Sequence, residues 1–87
     1  MALNFLNDMR SYDASRQYVT FWGHDSAFEV TFRLDTTALK RFSGLDTLSE
    51  AIALKAFDEN RDRIRFAAQK MYQGKPERYV ELSAQDM

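Results

Sequence analysis

Apolar and polar residues alternate most regularly between Ala27 and Leu34, where Phe28, Val30, Phe32 and Leu34 stand opposite Ala27, Glu29, Thr31 and Arg33. A period of two carried by aromatic and β-branched residues predicts a strand with one covered face. Gln17 to Trp22 repeats the pattern, with Val19 and Phe21 on one face and Tyr18, Thr20 and Trp22 on the other. Between the two runs, Gly23-His24-Asp25-Ser26 reads as the turn of an antiparallel hairpin.

The period lengthens after Thr47. Ala53, Phe57, Asn60, Arg61, Ile64, Ala67, Ala68 and Met71 recur at steps of three and four, which places them on one side of a helix. Thr47 and Glu50 have the spacing of a capping box, and Gly74 and Pro76 supply a stop, so one long helix over Thr47–Gln73 is predicted. Leu48, Ile52 and Ala56 lie off the main stripe, which calls for a bend near Leu54–Ala56 or for cover on more than one side. Asp58, Glu59, Asp62, Arg63 and Arg65 form a solvated face, and Phe66 is the one large apolar residue on it.

Shorter signals complete the chain. Leu3–Phe5 reads as an edge strand, and Ser11 to Arg16 as a loop anchored by Tyr12. Asp35 can cap a short helix over Thr36–Phe42 that ends at Ser43-Gly44, Arg78–Leu82 alternates as a last strand, and Ser83–Met87 is a polar tail. The sum is an α+β fold in the order β-β-α-α-β. A small antiparallel sheet, made of the hairpin, the C-terminal strand and an N-terminal edge strand, packs against one long and one short helix.

A chain of 87 residues is expected to form a single domain over 1–87 with one core. Its 12 basic and 13 acidic side chains give a net charge of −1, so no field favours nucleic acid or anionic lipid. Without cysteine there is no disulfide and no thiolate metal site. No segment has the length and apolarity of a membrane span and the first residues lack a secretory pattern, so a small soluble cytoplasmic protein is expected, with no membrane partner.

Catalytic signals are absent. His24 is the sole histidine and sits beside Asp25 at the predicted turn, where ordinary turn chemistry explains it. The aspartates fall at loops and caps, so no metal is expected, and the three glycines have no phosphate-binding spacing, so no cofactor is expected either. Arg61, Arg63 and Arg65 alternate sides of a helix and are interleaved with acids, which argues against a nucleic-acid face. Asn60 and Arg61 stand beside the core-facing stripe and must find acceptors there; tethering the helix to strand ends is the simpler reading, and anchoring a ligand the sharper one.

Ser11-Tyr12-Asp13, Val19-Thr20-Phe21, the run Ala56-Phe57-Asp58-Glu59-Asn60-Arg61-Asp62-Arg63-Ile64, Ala68 and Tyr79-Val80-Glu81-Leu82 together resemble one family. It is the small proteobacterial domain-of-unknown-function family 1488, and the resemblance covers nearly the whole chain. Its most specific part is Ala56, Phe57, Arg61 and Ile64. The resemblance implies a stand-alone bacterial cytoplasmic protein with an α+β fold and no established activity; Phe66 departs from it, since a smaller residue is expected there.

Two functions of different class follow. The first is a small non-enzymatic interaction or regulatory module that self-associates as a homo-oligomer through Tyr18 and Trp22 on the outer sheet face or through Phe66. The second is a ligand-binding domain or enzyme with an anion pocket at Arg61, assisted by Asn60, His24 or Tyr12.

Overall fold

The computed structural model describes residues 3–72 and 79–87. Its strands are β1 (Leu3–Asn4), β2 (Arg10–Asp13), β3 (Tyr18–Asp25), β4 (Phe28–Asp35) and β5 (Val80–Leu82). The helices are α1 (Thr36–Ser43), α2 (Glu50–Glu59) and α3 (Arg61–Met71), and a 3₁₀ turn over Ala84–Asp86 closes the chain. The α+β class holds, with helices and sheet forming two layers.

The predicted hairpin is present, with Val19 opposite Leu34 and Phe21 opposite Phe32. β3 is longer than expected, because Gly23, His24 and Asp25 continue the ladder and the turn falls at Ser26-Ala27, with Ser26 at φ 55°. Gly23 is a packing residue. A Cβ built on it would lie 3.0 Å from Leu3 Cδ1 and 3.2 Å from the Phe32 and Phe5 rings, so a side chain would displace them. At the tip, Phe28 is left 74% exposed, whereas Phe32 and Leu34 are fully buried.

The expected loop at Ser11–Arg16 begins instead as a strand. Arg10 to Asp13 pairs with Phe21 to Tyr18, and the turn follows, with the Asp13 carboxylate accepting from Ser15 N, Ser15 Oγ and Arg16 N. β1 lies on the same edge of β3, pairing Leu3 with Asp25 and Asn4 with His24. Between them five residues, Phe5 to Met9, oppose only Trp22 and Gly23, so the edge strand bulges outward.

The sheet is mixed, not antiparallel. β5 pairs parallel with β4, Phe32 opposite Val80 and Leu34 opposite Leu82, because all three helices lie in the crossover between these strands and return the chain to the same end. Of the predicted final strand, Val80–Leu82 is formed, and Arg78 lies outside the described residues.

The single long helix is replaced by two. The break is at Asn60, not near Leu54–Ala56, and its cause is local. The Asn60 side-chain amide donates to Ala56 O at 2.8 Å, taking the carbonyl that its own backbone N–H would use in a regular helix. That N–H turns to Phe57 O instead, and the backbone leaves the helical region at φ −117°. Thr47 is not the cap either: Ser49 Oγ accepts from Ile52 N, and α2 starts one residue later. Gly74 and Pro76, the expected stop, lie outside the described residues. Met71 is 40% exposed, and the next residue, Tyr72, takes the buried place.

α1 forms as predicted, capped by Asp35 through Thr37 N and closed by Gly44 at φ 73°. The core joins Val19, Phe21, Phe32, Leu34, Val80 and Leu82 of the sheet to Leu39, Ala53, Phe57, Ile64 and Ala68 of the helices. Phe21 stacks on Phe32 and meets Phe57 edge-on, both at 5.2 Å between ring centroids. The polar tail is also ordered against the body: Ser83 and Asp86 form a capping box, Arg41 donates to Ala84 O, and Met87 packs on the core. No described helix is long and apolar enough to cross a membrane.

Candidate functional site

Because the core residues of β3, β4 and β5 all point to the helices, the alternate residues lie on the opposite sheet face. The register puts Tyr18, Thr20, Trp22 and His24 of β3 beside Thr31, Arg33 and Glu29 of β4, with Glu81 of β5 next to Arg33. No described helix covers this face. Tyr18 and Trp22 are therefore on one open surface, half-buried only by their neighbours.

At one end of the face, the Arg33 guanidinium lies 3.8 Å from the centre of the Tyr79 ring and 4.8 Å from that of Tyr18. Two aromatic faces stabilise a cation and fix its plane. Arg33 Nε is nevertheless buried without a hydrogen-bond partner among the described residues, as is His24 Nδ1 toward the other end. His24 Nε2 stands 4.0 Å from the Glu29 carboxylate, its cross-strand neighbour.

Next to Arg33 a cleft of about 330 Å³ opens at the ends of β4 and β5, bordered by Arg16, Gln17, Tyr18, Glu81 and Ser83. The nearby Tyr18 hydroxyl raises the pKa of Arg16 above its ordinary value. Of the residues around this cleft, Tyr18 alone is among the predicted site residues. Arg33 is visible as a polar-face residue of an alternating strand, but its meeting with Tyr79 depends on the parallel register of β5, for which there is no short-range signal.

The other predicted site residues are on the helical side. Arg61 donates to Asp8 O at 3.2 Å and to the Asp58 carboxylate, and its guanidinium lies over Phe57 at 5.2 Å. Arg10 grips Asp58 through both Nε and Nη2, at 2.9 and 2.8 Å, which raises the pKa of Arg10 and holds Asp58 below the usual carboxylate range. Arg65 donates to Asn7 O and to Asp8 Oδ1, both at 3.0 Å, and lies over Phe5. Three arginines thus fasten the bulge of the edge strand to α2 and α3.

Asn60 ends α2, Tyr12 packs against the core and lines a separate small cleft with Lys40 and Asp46, and His24 is across the sheet. Arg61, Asn60, Tyr12 and His24 are not brought to one place. Phe66 is 64% exposed on α3, with Lys70 Nζ 5.6 Å above its ring, in the layer opposite Tyr18 and Trp22. The described residues contain no group of three or more histidine, aspartate or glutamate side chains arranged to hold a metal ion.

The architecture is shared with a solved structure. A protein of unknown function from the DUF1488 family of Shewanella loihica PV-4 superposes with a TM-score of 0.78 over 92% of this chain and 90% of that one, at 13% sequence identity. At this identity the likeness concerns the fold alone. No curated protein matches the chain. The model of the family described as protein of unknown function (DUF1488) matches residues 3–82, and the chain belongs to that family.

Proposed function

We propose that this chain is a one-domain, non-enzymatic interaction module that self-associates through its open sheet face. The observation that carries this reading is the uncovered face itself: Tyr18, Trp22 and Tyr79 lie on the side away from the described α-helices, along with two buried polar atoms that lack hydrogen-bond partners among the described residues. A second copy is the occupant favoured by charge, because the face carries both signs, Arg33 beside Glu81 at one end and Glu29 at the other, so that turning it end for end sets Arg33 of one copy opposite Glu29 of the next.

Its size suits such a contact. The eight residues of β3 span about 27 Å and four strand positions about 19 Å, a footprint of roughly 500 Å² per copy. Two copies would bury about 1,000 Å², the lower end for a specific interface. Phe66 is a separate surface on the helical layer and has less support as a self-contact. The alternative of an anion pocket at Arg61 also has less support, since Asp8 and Asp58 already take its donors. A bacterial cytoplasmic setting accords with the family and its Shewanella member, and the balanced charge gives no reason to expect nucleic acid.

Light scattering across a concentration series tests the proposal. Self-association requires a mass that rises toward twice 10.2 kDa and returns to the monomer in Trp22→Glu. A strict monomer at all concentrations, or a dimer indifferent to Trp22→Glu, overturns it.

A further inference from the structure

The Arg33 cleft has a property that self-association leaves unexplained. Its acids are unequal. The Asp35 carboxylate is taken by Thr37 N at the start of α1, and the Asp86 carboxylate accepts from Ser83 N and Ser83 Oγ in the final turn. Both serve as caps. That leaves Glu81, the cross-strand neighbour of Arg33, as the acid with no capping duty in a cleft that Arg33 and Arg16 also line.

None of the ion pairs among the described residues involves Arg33, and its Nε is shielded from solvent without a hydrogen-bond partner there. A guanidinium held in plane between two rings, with unused donors, is arranged for planar acceptors such as carboxylate or phosphate oxygens. The position in the fold agrees independently. β4 and β5 are the parallel pair, and the cleft lies beyond their carboxyl ends, where crossover connections in parallel sheets leave room for ligands. A volume of about 330 Å³ admits a small molecule or the end of a larger one.

We infer that this cleft is a binding site for an anionic group, a carboxylate or a phosphate, with Arg33 at its floor and Arg16 at its mouth. The accessible Nη donors of the Arg33 guanidinium donate to the oxygens, Arg16 adds a second positive charge, and Glu81, with Asp35 and Asp86, whose carboxylates stay charged in their caps, opposes entry and limits affinity. This goes beyond the self-association reading and does not depend on it.

The test is a titration with inorganic phosphate and, separately, with succinate, followed by ¹H–¹⁵N NMR on a sample whose mass has been fixed by light scattering. The Arg33 Nε–H and the amides of Gln17 and Ser83 should shift and saturate, and the probe that saturates identifies the phosphate or the carboxylate source. Arg33→Met should weaken binding about 10- to 100-fold. Glu81→Gln should strengthen it about threefold. The second variant keeps the test decisive if the first does not fold. The site is refuted by an absence of saturation with both probes, by binding that survives Arg33→Met in a folded protein, or by weaker binding in Glu81→Gln. Refutation would leave self-association standing, and a strict monomer would leave the cleft standing.

Discussion

The Tyr72 hydroxyl donates a 2.6 Å hydrogen bond to the Asp25 carboxylate, tying the residue after α3 to the end of β3. The two residues are 47 positions apart, and the bond closes the helical layer onto the hairpin. Asp25 raises the pKa of Tyr72, chiefly through this bond. A raised folded-state pKa gives a contribution that is complete below the unfolded value near 10 and is lost as pH climbs through the folded one. Wild-type stability should therefore decline above about pH 10 more steeply than that of Tyr72→Phe. Denaturant melts at several alkaline pH values would show it. Parallel curves for the two proteins would assign the bond no such role.

Gly23→Ala should be costly although glycine is a poor strand residue. The new Cβ would press on Leu3, Phe5 and Phe32, the contacts that hold β1 against the sheet. Overpacking of this kind destabilises by about 1–3 kcal/mol. Urea denaturation would measure the loss, and hydrogen exchange at Leu3 and Asn4 should quicken most. An unchanged midpoint would mean that the edge strand yields freely.

Much of this architecture is legible in the chain, and the failures share a cause. Alternation identified β3 and β4 because one face is buried along most of their length, and Asp35 and Gly44 marked α1 because caps are local. β2 was hidden: Ser11 and Asp13 face away from the core, leaving Tyr12 and the stem of Arg10 as the only inward residues. Asn60 preserves the three-and-four spacing from Phe57 to Ile64, so the break scarcely disturbs the periodicity. The parallel direction of β5 and the pairing of Arg33 with Tyr79 arise from a long crossover, which no window of sequence reports. A DUF1488 member superposes on this fold at 13% identity, so the fold persists where most residue identities do not.

Asn60→Ala removes the amide that captures Ala56 O and returns this carbonyl to the backbone. α2 and α3 would then tend to join as one straight helix, pulling either Phe57 or Ile64 from its place in the core. Despite the better helix propensity of alanine, the variant should lose about 1 kcal/mol. Thermal melts would register the loss. A more stable variant would show that the break is imposed by packing and not by Asn60.

Asp58 is the acceptor shared by Arg10 and Arg61, so its carboxylate joins β2 to the junction of α2 and α3. Its pKa is depressed, first by the hydrogen bond from Arg10. A depressed folded-state pKa stabilises above the unfolded value near 4 and ceases to do so as pH falls through the folded one. The carboxylate is 41% exposed, so solvent screening limits the contribution to under about 1 kcal/mol. Asp58→Asn should therefore flatten the stability profile below about pH 4 while lowering neutral stability only slightly. The larger effect should be local: without Asp58, Arg61 and Arg10 lose their common anchor, and amide exchange across Leu6–Met9 should accelerate at neutral pH. Protection there that matches wild type would mean that Arg65, through Asn7 O and Asp8, holds the bulge alone.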